Sequence, residues 1–325
     1  MAAAGGTRAS VTAVVLNYDG RKLLATILPS LQAQSRPADE IVVVDNGSRD
    51  DSLAYLASEW PAVRVVAIGE NVGVTPALNR GVAAAGGDYV ALLNNDLELE
   101  PGWLAELLAA LERHPGAGAA ACRLRNYYRR EELDGAGDVF TRGGAGTKRG
   151  HRELDRGQYA EEEEVVAPTG GAGLYRARVL ADVGPFEESF FAYFEDLDWG
   201  LRAVGAGYPS IYVPTAIGYH MEGRTTGGAR NPAYHALQWR NTLAVLVRNV
   251  PARWMLLNAQ WILRHHLGGL LASARAGLLR SHLRGYADAV RAFPGWAVAR
   301  RRIRASRRLS DRQFERAIAA GRRPR

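Results

Sequence analysis

The stretch Gly87-Asp88-Tyr89-Val90-Ala91-Leu92-Leu93-Asn94-Asn95-Asp96-Leu97-Glu98-Leu99-Glu100-Pro101-Gly102-Trp103 decides the fold. Tyr89 to Leu93 is a continuous apolar run with the length and composition of a strand buried on both faces. It stops in two amides and a carboxylate, after which Glu100-Pro101 offers a helix start with Pro near its first position. A polar cluster at the C-terminal end of a buried parallel strand lies in the crevice where open α/β sheets bind ligands. Asp96 is therefore the first candidate for handling a metal or a phosphate. The competing reading is that Asn94, Asn95 and Asp96 form an ordinary turn.

Outward from this strand, the same pattern repeats upstream. Val11 to Leu16 reads as a buried strand ending in Asn17-Tyr18-Asp19-Gly20, with a helical pattern through Leu23, Leu24, Ile27, Leu28 and Leu31. Ile41 to Val44 runs into Asp45-Asn46-Gly47-Ser48, and a helix begins near Asp50 and Asp51. Val63 to Ile68 leads through Asn71-Val72-Gly73 into Thr75-Pro76, an N-cap with Pro at N1, and a helix to about Ala85. Strands alternating with helices predict right-handed βαβ units and a parallel sheet. Asn17, Asp45, Asn71 and Asp96 then share one rim. Asp45 can accept the imide N–H of a uracil or thymine base, and Gly47 and Gly73 allow close approach of a nucleotide. Neither a Gly-x-Gly-x-x-Gly fingerprint after the first strand nor a Walker P-loop is present.

Composition sets the frame. With 325 residues, 47% of them hydrophobic, the chain can bury a sizeable core. Its single cysteine, Cys122, rules out an intrachain disulfide framework. The first residues carry no apolar core of a secretory signal, and no window reaches about 18 uninterrupted apolar residues, so no membrane-crossing helix is expected. The net charge of +7 conceals an asymmetry: residues 231–325 hold nineteen arginines, no lysine and three acids, against 22 basic and 31 acidic residues before them. Such a tail faces a polyanion or an anionic membrane.

The ordered motifs carry a resemblance. Val42-Val43-Val44-Asp45-Asn46-Gly47-Ser48-Arg49-Asp50, then Asn71-Val72-Gly73 with Asn79-Arg80-Gly81, then Leu92-Leu93-Asn94-Asn95-Asp96 with Pro101-Gly102-Trp103-Leu104, resemble a family 2 glycosyltransferase of the GT-A fold, in its rhamnosyltransferase-like branch. Gly184-Pro185-Phe186-Glu187-Glu188 and Phe191-Ala192-Tyr193-Phe194-Glu195-Asp196-Leu197-Asp198 match that branch's second half. The resemblance covers roughly residues 11 to 245. It implies an α/β fold with a Rossmann-like, mostly parallel central sheet flanked by helices, followed by a basic helical extension.

It also implies a nucleotide diphosphate sugar as donor, dTDP- or UDP-linked, a divalent cation (Mg²⁺ or Mn²⁺) and an inverting displacement. Asp45 would hold the base, with Asn17, Gly47, Asn71, Gly73, Asn79, Asn94 and Asn95 lining the donor pocket. Asp96 stands at the last position of the family's Asp-x-Asp metal motif, whose first position is Asn94 here; an amide adds no charge for the metal. Gly171 and Ala172, within Thr169-Gly170-Gly171-Ala172-Gly173, would line the sugar and acceptor side. Asp196 matches the general base, supported by Glu195 and Asp198. The bland account of these carboxylates is a helix first turn favoured by the macrodipole. His220, in His220-Met221-Glu222-Gly223-Arg224-Thr225, would complete the metal shell, and Arg224 would meet phosphate.

Between Arg123 and Val166 the pattern loosens into turn-rich sequence, including Asp134-Gly135-Ala136-Gly137-Asp138 and a solvated run Glu161 to Glu164, read as a flap over the donor. Phe194 to Val204 reads as a helix and Tyr208 to Val213 as a strand ahead of Pro214. Past Asn231 the chain reads as helices over Tyr234 to Val247, Trp254 to Leu283 and a stretch after Tyr286, broken at Pro251 and at Pro294-Gly295. Basic and apolar residues mixed at helical spacing suit helices lying in a membrane interface. The expected organisation is a flexible N-terminus (1–10), a catalytic domain (11–230, with a nucleotide-binding half 11–122 and an acceptor half 123–230) and the basic extension (231–325). The expected activity is glycosyl transfer to a polyprenyl-linked or polymeric glycan at the cytoplasmic membrane face. A homodimer stays open and nucleic acid is the disfavoured partner. The competing readings are a binding module without catalysis and a nucleotidyltransferase.

Overall fold

The computed structural model describes residues 8–169, 171–221 and 231–319. The first half alternates β1 (Val11–Asn17), α1 (Arg21–Gln32), β2 (Glu40–Asp45), α2 (Ser52–Glu59), β3 (Arg64–Ala67), α3 (Val74–Ala84) and β4 (Tyr89–Asn94). There follow β5 (Leu97–Leu99), α4 (Trp103–Arg113), β6 (Ala119–Asn126), four short strands β7 (Leu133–Gly135), β8 (Asp138–Phe140), β9 (Gly146–Lys148) and β10 (Glu163–Val165), then β11 (Ala172–Arg176), α5 (Ala177–Val183), α6 (Glu195–Gly205) and β12 (Ser210–His220). The chain closes with α7 (Pro232–Asn249), α8 (Ala252–Leu257), α9 (Ala259–Arg275), α10 (Leu279–Ser306) and α11 (Asp311–Ala317).

The sheet runs β10-β12-β6-β11-β4-β1-β2-β3. Strands β3, β2, β1 and β4 are parallel, as the βαβ pattern predicts. Strand β11 enters antiparallel between β4 and β6, and β12 lies parallel to β6. Alternate residues of each strand feed two different cores. Val11, Ala13 and Val15 face α1 and α4, whose Leu24, Ile27, Leu28, Leu31, Trp103 and Leu107 are buried. Val14, Leu16, Val42 and Val44 face α3, α5 and α6 through Ala77, Leu78, Val179, Leu180 and Trp199. Helix α1 tolerates Pro29 inside it. An interior proline costs about 3 kcal/mol, while each of its four buried aliphatic side chains returns about 1.5–3 kcal/mol, so burial prevails. Cys122 is buried, and burial pushes its thiol up to about 12, which leaves it inert.

Several local expectations shift. Helix α3 starts at Val74 with Gly73 as N-cap, two residues before the expected cap at Thr75. Strand β12 continues past Pro214 through an irregularity between Val213 and Ile217, because its far end pairs with β5 and β6. Helix α10 runs through Pro294 without a break at Pro294-Gly295. Its buried Ala289 and Trp296 belong to one core with Ala244, Val245 and Leu246 of α7 and with Phe190, Leu197 and Leu201 of the α6 region. Among the arginines expected to face an anionic surface, Arg300 donates to the Val247 carbonyl, Arg307 pairs with Asp311 and Arg308 with Asp182. Part of the basic extension is thus packed onto the catalytic half. Large apolar side chains on α8, α9 and α10, among them Leu256, Leu257, Trp261, Leu267 and Phe293, remain exposed.

The segment expected as a flap is instead folded and holds buried acids. Asp134, on β7, and Asp138, on β8, are both buried. The acidic run is not simply solvated: Glu162 pairs with Arg113 and His114, and Glu163 with Arg149 at the edge strand β10.

Candidate active site

The rim of the sheet is a continuous amide–carboxylate network. Asn17 Nδ2 donates to Asp45 Oδ2 at 3.0 Å, and Asn17 Oδ1 accepts from Asn95 Nδ2 at 2.9 Å. Asp45 also accepts from the Ser48 hydroxyl at 2.6 Å and the Ser48 amide at 2.9 Å. A carboxylate offers about four acceptor positions, and these three bonds leave one unfilled. Gly20 lies over the network so closely that a Cβ there would stand 2.0 Å from Asn95 Nδ2. Asn17 and Asn95 are therefore spent on holding Asp45 and the loop above it.

Other residues expected to line the donor are also engaged by the protein. Asn71 Oδ1 accepts from Asn46 Nδ2 and from the Gly73 amide. The space beside Gly47 is filled by the Glu70 backbone, and that beside Gly73 by the Phe191 ring. Close approach at those glycines is made by chain. Asn79 exchanges two hydrogen bonds with the Phe186 backbone and donates to Glu188. Its work is to tie α3 to the segment before α6. Gly171 adopts φ +68° directly against the Asn94 side chain, while Ala172 is buried in β11 opposite Leu93.

Beyond β4, Asp96 is buried, and its Oδ1 has no well-aligned hydrogen bond although His220 Nε2 lies 3.3 Å away. His220 Nδ1 meets Asp134 Oδ2 at 2.9 Å, and Lys148 Nζ reaches the same carboxylate at 2.8 Å. Burial opposes the charge on His220, but the Asp96 and Asp134 carboxylates raise its pKa to about 9. An imidazole held charged between two carboxylates offers no lone pair, so serving as a metal ligand requires that Nε2, the nitrogen facing Asp96, lose its proton. Among the described residues no three acidic, histidine or cysteine side chains form a ready metal site. The orphaned Asp96 oxygen fits a dication that takes its remaining ligands from phosphate and water.

Next to this triad sits a second acidic group. Asp138 accepts from the Thr169 hydroxyl at 2.7 Å, and burial and the Asp196 charge push its carboxyl well above the usual range. Burial, then the charges of Asp196 and Asp138, raise Glu195 to about 8. Glu195 Oε2 is sealed without a hydrogen-bond partner. Asp196 Oδ1 accepts from the Leu197 amide at 2.7 Å. The buried Tyr175 phenol is pushed up by burial and by the same three acids. Asp196, Glu195, Asp138, Asp134, His220 and Asp96 thus form one electrostatically connected cluster.

The segment that delivers Glu195 and Asp196 is strained. Phe191, Tyr193 and Phe194 all have φ between 64° and 69°, a conformation that costs roughly 1–3 kcal/mol per non-glycine residue. It is held by Asn241 of α7, whose Nδ2 donates to the carbonyls of Phe190, Ala192 and Tyr193. Phe191 O in turn accepts from Val74 and Thr75 at the start of α3. Asp198 does not join the acidic cluster. It is fully buried against Arg248, Arg202 and Asn249 and fastens α6 to α7. Sequence reasoning missed Asp134, Asp138 and Asn241; the spacing Asp134-x-x-x-Asp138 between glycines was the available signal for the first two. Arg224, Glu222, Gly223 and Thr225 lie outside the described residues.

The sequence profile described as "Glycosyl transferase family 2" matches residues 12–184. The chain is 28% identical over 298 residues, 83% of its length and 93% of the relative's, to an N-acetylglucosaminyl-diphospho-decaprenol L-rhamnosyltransferase of Mycobacterium tuberculosis. Among solved structures it resembles S. aureus TarS 1–349 in complex with UDP-GlcNAc, with a TM-score of 0.58, 18% identity and coverage of 95% of this chain and 90% of that one. It also resembles the mannosyltransferase PcManGT of Pyrobaculum calidifontis in complex with GDP-Man and Mn²⁺, with a TM-score of 0.56, 20% identity and coverage of 92% and 86%. The central sheet with flanking helices is the GT-A architecture.

Proposed function

The chain belongs to glycosyl transferase family 2 and is a rhamnosyltransferase-like glycosyltransferase; from this we propose that it moves a deoxyhexose such as rhamnose from a dTDP- or UDP-linked donor to a hydroxyl of a polyprenyl-linked glycan, with inversion. The observation that carries the reading is the convergence of Asp138, Glu195 and Asp196 beside the Asp96–His220–Asp134 group. An inverting transfer needs one group to take the acceptor's proton and another to hold the departing diphosphate.

Asp196 is the base that takes the proton from the attacking hydroxyl. Glu195, raised to about 8, stays protonated at neutral pH and so adds no second charge beside Asp196. Asp45 holds the base edge with its remaining acceptor position. Asp96 would hold Mg²⁺ or Mn²⁺, with His220 adjoining once deprotonated. When bound, such a cation offsets the charge that grows on the leaving diphosphate. The 231–325 extension divides: α7 serves the catalytic half, while the exposed apolar and arginine-rich α8–α10 face rests on the cytoplasmic membrane surface.

Titration calorimetry with dTDP and UDP, with and without Mn²⁺, followed by donor-hydrolysis assays across nucleotide sugars, tests this. The expected result is metal-enhanced diphosphate binding that Asp96→Asn abolishes, with release of dTDP or UDP from one donor. Nucleotide binding indifferent to Mn²⁺ with no donor cleaved, or RNA binding with a steep salt slope, would rule the transferase reading out.

A further inference from the structure

A groove of about 550 Å³ runs beside α9, lined by Thr141 and Gly143 of the β8–β9 hairpin, Trp239 of α7, and Trp261, Arg264 and His265 of α9. Its walls are built by glycine placement. A Cβ at Gly269 would stand 1.9 Å from the Trp239 ring, so the indole can lie on the helix only because that position is bare. Trp239 is fixed from behind by stacking on His282, with ring centroids 3.9 Å apart. At Gly268 a Cβ would meet nothing within 4 Å, which leaves the floor open.

The groove has a polarity. Arg264 has no carboxylate partner among the described residues, so its guanidinium is available in a groove that two indoles also line. One step around the helix, Leu263, Leu267 and Leu271 recur every fourth residue and are 59%, 51% and 59% exposed. A cation sharing a groove with two indoles and continued by an apolar stripe matches an amphiphile with an anionic head and a hydrocarbon tail. A free sugar would leave the leucines uncovered, and a free phosphate would leave the indoles unused.

The groove also connects to the acidic cluster. Strand β8 begins at Asp138, and three residues later Thr141 lines the groove, a run of about 10 Å at ~3.3 Å per residue. At the same turn end of the hairpin, Gly146, paired with Phe140, packs against Leu197, which follows Asp196 in the chain. One pyranose and its anomeric phosphate bridge such a distance.

We propose that this groove seats the diphosphate and the first isoprene units of the acceptor, so that the sugar on the diphosphate reaches the carboxylates. The proposal rests on the preceding reading that the acceptor is polyprenyl-linked. Arg264 makes charge-assisted bonds to the diphosphate, the indoles pack on the first alkenes, and the leucine stripe carries the tail toward the bilayer.

The test uses the full chain, dTDP-rhamnose and N-acetylglucosaminyl diphosphate on a farnesyl tail, soluble without vesicles. Arg264→Ala removes the charge, and Gly268→Leu fills the open floor while improving helix propensity. Each is expected to raise the acceptor KM about tenfold or more, the scale of one hydrogen bond to a charged group, while donor KM, donor hydrolysis and thermal stability stay at the parent's values. An unchanged acceptor KM in both variants would overturn the groove as acceptor seat. A KM that rises only for acceptor presented in anionic vesicles would overturn it too, assigning the face to the membrane. A parent protein that hydrolyses the donor yet transfers to no prenyl diphosphate acceptor would defeat the acceptor reading itself, and would show it before any variant is made.

Discussion

Asn241 Nδ2 lies 2.9 Å from the carbonyl oxygen of Tyr193, two residues ahead of Glu195 and 48 positions away in sequence. Together with the Phe190 and Ala192 carbonyls it closes a three-point clamp on the only described run with three positive-φ non-glycine residues in four positions. The clamp places the carboxylates of α6 by fixing the backbone that leads into them.

Asn241→Ala should therefore lower kcat far more than it changes nucleotide affinity, because Asp45 and Asp96 are untouched. The Phe190 carbonyl keeps the Ala192 amide and Arg240 as donors, but withdrawing the donor from the buried Ala192 carbonyl costs about 1–3 kcal/mol, so stability should fall as well. Steady-state kinetics with calorimetric UDP or dTDP binding checks the split; equal losses in nucleotide affinity and kcat would mean general unfolding.

Asp196→Asn keeps the shape of the side chain and its bond to the Leu197 amide while removing the base. General base catalysis is worth roughly 10²–10⁴-fold, and a drop of that order in transfer, with nucleotide diphosphate binding retained, is expected. A fully active variant would remove Asp196 from the mechanism.

Glu195 leads to a pH prediction. Its folded pKa of about 8 lies above the ordinary carboxyl value of 4.5, through burial first and the Asp196 charge second. The folded state binds the extra proton between those values, so stability is full below the unfolded pKa and is lost as pH rises through the folded one. Glu195→Gln, which cannot ionise, should melt higher than the parent at pH 9 and show little difference at pH 4. Melting curves at several pH values read this, and parallel pH profiles for the two proteins would count against it.

Asp198 carries the opposite sign. Burial would raise its carboxyl, but Arg248 and Arg202 hold it below the ordinary value. Its contribution is present above the unfolded pKa and is lost as pH falls through the folded one. Asp198→Ala takes the shared carboxylate from Arg248, which keeps Glu187, and from Arg202, which keeps the Val183 and Pro185 carbonyls; removing one partner of a buried pair costs about 3–5 kcal/mol. Urea unfolding at pH 7 should show that loss, together with a flatter acid limb of the stability profile.

Much of the architecture follows from short-range pattern. The apolar runs at Val11, Ile41 and Tyr89 become β1, β2 and β4 within a residue at either end, because a strand buried on both faces must be uniformly apolar and must stop where polar side chains begin. The basic extension is less legible. Its helical spacing is visible, but which arginines are solvated and which are tied down, as Arg248 is to Asp198, depends on contacts 50 positions away. Pro294 shows the limit from the other side: a local breaker is overridden by Ala289 and Trp296 packing in a distant core.

By itself the sequence determined the βαβ order and the polar rim at Asn17, Asp45, Asn71 and Asp96, since strand period and strand-end chemistry are local properties, and it placed Glu195 and Asp196 in the first turn of a helix. Only the tertiary structure decided that Asp134 and Asp138 join those acids, that Asp198 leaves them for Arg248, and that Asn241 fixes their approach. Charge and burial are set by what folding brings within a few ångströms, and nothing in a residue's sequence neighbours records it.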